Sequence, residues 1–468
     1  MSAFDGVIIG AGPAGMAAAC AMAETGAAVM VLDEQPAPGG QIYRNVATAP
    51  DAALKALGAD YKHGLGLVRR FLASGAVYRR GAAVWQVVPG ASGGAEPAEI
   101  WFSQDGRAQR VTARSVLIAG GAMERPVPLK GWTLPGVMGA GAIQVLLKSH
   151  LIPERLVLVG TGPLMLLLAA QCASLGLKPI LLDTRPTGAL AAALPLLARG
   201  LRGHGARYLA KGAWLMARLR LAGVKIISGV TDVVLEGDVK VSGVTYRAGG
   251  VTRHLASDLV GLHEGVIPAQ QLTRSLGCAH VWDEISTCFR PVADPFGATS
   301  VPGILVAGDA GGIGGARAAE HAGRIAAGEM LRRAGRIDAT ARERMIEWDI
   351  REHAAHLALR PFLDRLYAPA AWLAAPADDV VVCRCEEITA GRIRAAARDG
   401  AQGPNQAKAF LRAGMGPCQG RICGPVVSQL MAAEHNTGVD AAGYYRIRPP
   451  LKPITVGALA AAGRDDHA

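Results

Sequence analysis

The sequence predicts an α/β protein with two nested Rossmann-type dinucleotide-binding domains, followed by a small helical domain. Two observations predict the nested domains: a strand–glycine turn–helix–strand unit opens the chain, and the same unit returns at Leu156. A third observation, four closely spaced cysteines in the last quarter of the chain, marks the small domain.

The first unit carries a glycine motif between an apolar strand and a helix of small residues. Gly10 allows the tight turn, Gly12 lets backbone approach a pyrophosphate, and Gly15 lets the helix pack on the strand. Asp33 ends the next strand, where an acidic side chain would bind ribose hydroxyls, and Glu34 follows it. The order of these elements predicts a bound dinucleotide.

A second glycine-rich loop follows this strand and contains Gly40 and Gln41. In this position the loop could cover a flavin, with Gln41 as a hydrogen-bonding group; a plain turn explains the same residues equally well. From residue 82 to residue 110 the apolar residues alternate with polar ones around turn sequences, which predicts antiparallel strands.

The second unit repeats the first with one change in its glycine motif. Gly160 and Gly162 keep their places, Met165 replaces the third glycine, and Asp183 ends the next strand. Asp183 favours NAD over NADP, although Arg185 leaves room for a phosphate. Met165 prevents the close packing of helix on strand that a third glycine would allow. A vestigial site is therefore as well supported as a nucleotide site, and the reactivity with NADH should be weak.

A third glycine-rich stretch follows a buried strand that begins at Val301. Gly308 and Asp309 end the strand, and a helix is expected from Ala316 to about Ala334. Asp309 could bind a ribityl hydroxyl and the start of the helix could face a flavin carbonyl, or Asp309 could simply cap the helix.

The cysteines of the small domain have the spacing C-x-C and then C-x4-C. The four residues are Cys383, Cys385, Cys418 and Cys423. Four thiolates can bind a [2Fe–2S] cluster or zinc, and cysteines without a metal are the third alternative. The C-x-C spacing favours the cluster because zinc sites usually space their pairs more widely. The other four cysteines stand alone and are expected to be small buried side chains: Cys20, Cys172, Cys278 and Cys288.

Composition excludes several classes of function. The formal charge is +11, but no basic run is interleaved with aromatic residues, so we expect no nucleic-acid partner. No signal peptide is expected. The apolar stretch from Leu156 to Leu182 is interrupted by glycines at the spacing of a Rossmann unit, so we expect no membrane span there. Together these observations favour a cytoplasmic location. We expect His63, His263 and His321 to be surface or packing residues.

The motifs resemble those of two-domain flavoproteins of the thioredoxin-reductase or ferredoxin-reductase kind. IGAGPAG, LDEQPAPGGQIY, LIAGGAMERPVP, VLVGTGPL and ILVAGDAGGIGGA occur in that family's order. The resemblance implies FAD in the first domain and pyridine nucleotide in the inserted one. Redox-active disulfide chemistry is not expected, since no cysteine pair lies beside the flavin motifs.

A narrower resemblance covers nearly the whole chain. CRCEEIT and GMGPCQGRICGP are similar to the bacterioferritin-associated-ferredoxin-like [2Fe–2S] domain. With ERPVPLKGWTLPGVMGAGAIQ and RIRPPLKPITVGALA, they resemble the FAD-binding α or A subunits of heteromeric opine oxidases, proline and hydroxyproline dehydrogenases and hydrogen cyanide synthase; sarcosine oxidase is a larger relative.

This second resemblance implies an electron-transfer role for the chain. Its FAD and [2Fe–2S] cluster would pass electrons from a flavoprotein β subunit, which oxidises a CH–NH bond, to an external acceptor. It also admits FMN at a subunit interface and a small ferredoxin-like γ subunit. No catalytic acid or base is expected in this chain. A stand-alone NAD(P)H-dependent reductase and a non-enzymatic iron–sulfur scaffold are the alternatives.

The motifs divide the chain into five segments. We expect a discontinuous FAD-binding domain, residues 1–150 and 287–345, around an inserted NAD(P)-binding-like domain, residues 151–286. A helical linker, residues 346–378, then leads to the [2Fe–2S] domain, residues 379–435, and a C-terminal tail, residues 436–468.

Overall fold

The computed structural model describes residues 4–91, 96–149 and 155–462. From Gly6 to Glu124 the chain forms a βαβ unit, two helices, three antiparallel strands and a return strand. The elements are β1 (Gly6–Ile9), α1 (Pro13–Ala23), β2 (Val29–Asp33), α2 (Asp51–Leu57), α3 (Ala59–Leu72), β3 (Val77–Arg80), β4 (Ala83–Val88), β5 (Ala98–Gln104), β6 (Arg107–Ala113), β7 (Val116–Ile118) and β8 (Ala122–Glu124).

The second segment repeats the βαβ unit and adds a three-stranded antiparallel sheet. It contains β9 (Val137–Gly139), α4 (Ala140–Lys148), β10 (Leu156–Thr161), α5 (Pro163–Ser174), β11 (Ile180–Asp183), α6 (Ala189–Ala193), α7 (Leu197–Gly200), α8 (Gly205–Leu221), β12 (Ile226–Ser228), β13 (Val230–Gly237), β14 (Val241–Ala248), β15 (Val251–Ala256) and β16 (Leu259–Glu264).

The remaining elements return the chain to the first sheet and then build the small domain. They are β17 (Val266–Pro268), α9 (Gln271–Ser275), β18 (His280–Asp283), β19 (Cys288–Pro291), β20 (Ile304–Val306), α10 (Ala316–Arg333), α11 (Ala339–Leu357), α12 (Arg360–Leu366), β21 (Val381–Cys383), β22 (Ile388–Thr389), α13 (Ala390–Arg398), α14 (Pro404–Leu411), α15 (Gly424–Glu434), α16 (Val439–Ala442) and α17 (Val456–Ala462).

Two parallel sheets of five strands form the centres of the nucleotide-binding domains. The strand orders are β20-β7-β1-β2-β3 and β12-β11-β10-β16-β9. In the first sheet β1 pairs with both β2 and β7, so the residues after β1 lie at a switch in strand order, where this class of sheet binds its ligands. The predicted antiparallel strands are confirmed as β4-β5-β6.

Sheet membership differs in one respect from the predicted domain division. Strand β9 pairs with β16 in the second sheet, and α4 packs on the same strand. Both elements precede residue 151, so a division by sheets would assign them to the inserted domain. Short apolar strands carry little sequence information about which sheet they join, because either sheet would bury them equally well.

The small domain has its own core, which extends onto β18 and β19 through Trp282 and Phe289. Trp132 donates a hydrogen bond to the carbonyl oxygen of Val381 at 2.6 Å and so ties this domain to the loop before β9. Among the described residues, no helix combines the length and the apolar character that crossing a membrane requires.

Candidate functional site: a shared nucleotide cavity beside four cysteines

A single cavity of about 2090 Å³ runs through both nucleotide-binding domains. This volume exceeds the roughly 300–1,000 Å³ of an ordinary small-molecule pocket, so it can hold a dinucleotide with room to spare. Apart from Gly15, every predicted nucleotide-binding residue lies on its wall: Gly10, Gly12, Asp33, Glu34, Gly40, Gln41, Gly160, Gly162, Asp183, Gly308 and Asp309.

The glycines of the first motif differ in what surrounds them. A Cβ on Gly15 would lie 1.9 Å from the carbonyl oxygen of Gly10, so α1 packs against the turn only because residue 15 is glycine. A Cβ on Gly12 would meet only the Cα of Gly40, at 4.0 Å. The space above Gly12 is open and faces the first turn of α1, a cradle that fits a pyrophosphate.

Asp33 and Asp309 use carboxylate oxygens to hold the loops beside them. Oδ2 of Asp33 accepts a hydrogen bond from the N–H of Ala11 at 2.6 Å, and Oδ1 accepts from the N–H of Gln35 at 2.8 Å. Oδ1 of Asp309 accepts from the N–H groups of Gly314 and Gly315 at 2.9 Å each, as a loop-capping aspartate does. For Oδ2 of Asp309 the structure shows no hydrogen bond to a described residue, so this oxygen can accept from a cofactor hydroxyl.

The loop containing Gly40 and Gln41 is held over the first motif from two sides. The N–H of Gly39 donates to the carbonyl oxygen of Ala11 at 2.8 Å. The Nζ of Lys148 donates to the carbonyl oxygens of Gln41 and Ile42 at 2.9 and 3.0 Å. Burial, together with the nearby Arg44 charge, lowers the pKa of Lys148 to about 8.

The second motif has a different packing beside its turn. Met165 is buried in an apolar cluster with Leu158 and Leu168, so its side chain fills the helix–sheet interface, and the residue also borders the cavity. Asp183 is engaged by Arg185, whose NH2 lies 3.3 Å from its Oδ2. The turn therefore reaches the cavity, but its acidic residue already has a cationic partner.

Three histidines lie in carboxylate pairs that the sequence analysis missed. The ring nitrogens of His63, His263 and His321 lie 3.0, 2.5 and 2.7 Å from oxygens of Glu320, Glu124 and Asp349. His263 also borders the second motif, since a Cβ on Gly162 would lie 3.4 Å from its Nε2. The partners are far apart in sequence, so no local pattern signals them.

The four cysteines come together at one end of the small domain. Cys383 and Cys423 are buried, Cys418 is half-buried and Cys385 is exposed. Cys423 donates a hydrogen bond to Cys383, and this bond together with backbone N–H groups lowers the pKa of Cys383 to about 6. At neutral pH Cys383 is therefore mostly a thiolate, which is the form that binds metals. The sulfurs of Cys385 and Cys418 form a second hydrogen-bonded pair.

This arrangement in two hydrogen-bonded pairs suits the two iron atoms of a [2Fe–2S] cluster. A tetrahedral zinc would hold its thiolates roughly 3.8 Å apart, given Zn–S bonds of about 2.3 Å. In the described chain no three of these sulfurs lie within 4.8 Å of one another. Two separated pairs suit two iron atoms, and the remaining cysteines (Cys20, Cys172, Cys278 and Cys288) are buried, as predicted.

The cysteine loop also forms part of the cavity wall. Arg421, which lies between Cys418 and Cys423, lines the cavity. Gln271, also on the wall, donates a hydrogen bond through its Nε2 to the carbonyl oxygen of Gln419 at 2.7 Å. The cysteine loop therefore borders the nucleotide cavity.

Comparison with known proteins agrees with both halves of this site. Residues 4–323 match the family model for pyridine nucleotide-disulphide oxidoreductases, and residues 381–433 match that for the BFD-like [2Fe-2S] binding domain. The chain belongs to the pyridine nucleotide-disulphide oxidoreductase family. It is therefore an FAD-dependent oxidoreductase of α/β fold, with FAD and a [2Fe–2S] cluster as cofactors, which confirms those predictions.

Relatives along the whole length share both parts. The opine oxidase A subunit of Rhizobium meliloti (strain 1021) is 47% identical over 98% of this chain and 99% of its own length. Hydrogen cyanide synthase subunit HcnB of Pseudomonas protegens is 31% identical over 97% of each chain. The fold of L-proline dehydrogenase from P.horikoshii matches with a TM-score of 0.68 over 98% of this chain and 79% of that one, at 17% identity.

Proposed function

We propose that this chain is the electron-relay subunit of a heteromeric oxidoreductase. The observation that carries the proposal is the position of Arg421, which belongs both to the cysteine loop and to the wall of the flavin cavity. Because the cysteine loop borders this cavity, FAD and the [2Fe–2S] cluster would be neighbours that exchange electrons directly. FAD supplies the conversion between two-electron and one-electron transfer.

The chain's own residues would position the cofactor and exclude water from it. Backbone N–H groups after Gly12 hold the pyrophosphate, and Asp33 and Asp309 each keep a carboxylate at a hydroxyl-binding position. Glu34, Gly40 and Gln41 add to the cavity wall, with Gly40 beside Gly12, and Gly308 completes the turn before Asp309. The cluster is held by Cys383, Cys385, Cys418 and Cys423 in two pairs.

The names of the relatives support a subunit role and suggest the reaction. The opine oxidase and hydrogen cyanide synthase relatives are both named as subunits of those enzymes. We infer a partner flavoprotein that oxidises a CH–NH bond in an opine, in proline or hydroxyproline, or in a similar amino acid. A small ferredoxin-like subunit, an FMN at the subunit interface and an external electron acceptor complete the proposed assembly.

A second candidate function is a stand-alone NAD(P)H-dependent reductase. It is favoured by the second motif, because Gly160 and Gly162 reach the same cavity and His263 lies beside them with its Glu124 partner. In this case a pyridine nucleotide would deliver electrons from the inserted domain. The ion pair between Asp183 and Arg185 weighs against it, since the ribose-binding carboxylate is already occupied.

The two functions make opposite predictions for the purified chain. We would load the full chain with FAD and cluster and mix it anaerobically with opines, proline or NADH, with and without the co-expressed partner. The relay function predicts flavin bleaching by the amine only in the complex and little bleaching by NADH. Turnover of the amine by the chain alone, at the rate of the complex, would exclude the relay function.

A further inference from the structure

A group of two histidines and a glutamate lies where the inserted domain meets helix α11. Glu352 and His356 are four residues apart on α11, so they project from the same face of the helix. His204 immediately precedes α8 in the inserted domain. One ligand atom of each residue lies within 4.8 Å of the others.

The backbone is shaped to bring His204 to this helix. The N–H of His204 donates a hydrogen bond to the carbonyl oxygen of Ala355 at 3.2 Å. A Cβ on Gly203, which has a φ of +58°, would lie 2.6 Å from the Cα of Ala355. Only glycine allows this approach, so the position of His204 against α11 is built into the loop.

The side chains are oriented as metal ligands usually are. The hydroxyl of Tyr208 lies 2.6 Å from Nδ1 of His356, which fixes the ring plane and leaves Nε2 for another partner. For that Nε2, the structure shows no hydrogen bond to any described residue. On the other side, Nε2 of His204 lies 2.8 Å from Oε2 of Glu352, and its ring lies 4.2 Å from that of His356.

We propose that His204, Glu352 and His356 bind a divalent transition-metal ion, best Zn²⁺. Two imidazoles, one carboxylate and a water make a common tetrahedral zinc site. Bonds of about 2.0–2.1 Å place neighbouring ligand atoms roughly 3.3 Å apart, so His204 and Glu352 need to separate by only about half an ångström.

The neighbouring charges and the cavity define what such an ion would do. Arg317 is the arginine whose charge acts on His356, and its NH1 lies 2.6 Å from Nε2 of His63. Its charge opposes a bound cation, and the carboxylate of Glu352 offsets it. His356 and Tyr208 also line the nucleotide cavity. The ion would therefore clamp the inserted domain to α11 at the rim of the cavity and limit relative movement of the two domains.

The test uses the full chain carrying FAD and cluster, dialysed against Zn²⁺ and then against metal-free buffer. The wild type should retain one equivalent of zinc more than Glu352→Gln and His356→Ala, at equal iron content. A matched control is His254→Ala, because His254 forms an exposed pair with Glu236 at 3.4 Å and lies outside the proposed ligand group. This control should retain the extra zinc.

Two further measurements separate metal binding from folding and from the cysteines. Co²⁺ in place of Zn²⁺ should give visible absorption bands of a four-coordinate site in the wild type and in His254→Ala. Zinc should also raise the unfolding temperature of these two proteins but not that of Glu352→Gln, since an ion that binds only the folded state stabilises it. Unchanged flavin absorbance shows that each variant is folded.

Equal zinc content in the wild type and in Glu352→Gln, with both folded, would overturn the proposal. So would a cobalt spectrum of sulfur ligation that disappears only when Cys418 is replaced. In either case the three side chains form a hydrogen-bonded contact between the domains and nothing more.

Discussion

The two glycines Gly12 and Gly15 allow flavin binding and folding to be tested separately. Gly12 has a φ of −77° and a ψ of −175°, which any residue adopts, and an alanine Cβ there would contact only the Cα of Gly40 at 4.0 Å. The apoprotein of Gly12→Ala should therefore be as stable as that of the wild type. At Gly15, the added carbon would lie 1.9 Å from the Gly10 oxygen, so Gly15→Ala should be destabilised even as the apoprotein.

The size of the binding effect follows from the hydrogen bonds at the start of α1. A methyl group on Gly12 would occupy the space through which the pyrophosphate approaches those N–H groups. Losing one or two hydrogen bonds to a charged group costs about 2–4 kcal/mol. The dissociation constant for FAD should then rise about 30- to 1,000-fold. For Gly15→Ala, overpacking costs about 1–3 kcal/mol or more of folding free energy.

Both effects can be measured on apoprotein from which FAD has been removed. Titration with FAD, followed by quenching of flavin fluorescence, gives the dissociation constant, and denaturant unfolding gives the stability. Gly66→Ala is the control, because an added Cβ on this glycine of α3 meets no atom within 4 Å. A dissociation constant for Gly12→Ala within twofold of the wild type would refute the position of the pyrophosphate.

Three more outcomes are expected. Cys418→Ser should lose the visible absorption of the cluster and, in the assembled complex, slow electron delivery to the acceptor, whereas Cys278→Ser should keep both; zinc in place of iron and sulfide in the native protein would contradict the assignment. NADH should bleach the flavin slowly, and rapid stoichiometric bleaching would favour the reductase. Burial lowers the pKa of Lys148 from 10.5 to about 8, so between these values the folded state binds fewer protons than the unfolded state and stability should rise with pH. Denaturant unfolding across that pH range should show the free energy of unfolding rising less in Lys148→Met than in the wild type, with a difference of up to about 3 kcal/mol. An equal rise in the two proteins would show that Lys148 does not titrate in this range.

The nucleotide motifs were predictable because their requirements are local. The positions of Gly10, Gly12 and Gly15 relative to a strand and a helix are specified by sequence neighbours. The cysteines were predictable for a related reason, since the C-x-C and C-x4-C spacings limit how their sulfurs can be arranged. The packing of Met165 was harder to predict, because it depends on how far α5 stands from its sheet.

The features that sequence analysis missed all join distant segments. The pair of His263 and Glu124 depends on β8 pairing with β17, which follows β16 and places Glu124 opposite Val266; no local pattern specifies this pairing. The approach of His204 to α11 likewise requires the finished arrangement of both domains. Histidine spacing alone could have indicated only the pair of Glu352 and His356, which share a helix face.

The residues after the small domain bring the chain back to its beginning. The N–H of Leu451 donates to the carbonyl oxygen of Trp85 at 2.9 Å, Lys452 forms an ion pair with Glu34, and both Leu451 and Lys452 line the cavity. During translation, the ribosome makes the glycine motif early and this last piece of wall only after the cysteine domain has emerged. Full enclosure of the flavin therefore has to wait until Leu451 and Lys452 have been made, so a nascent chain stalled before them would have an incomplete flavin pocket.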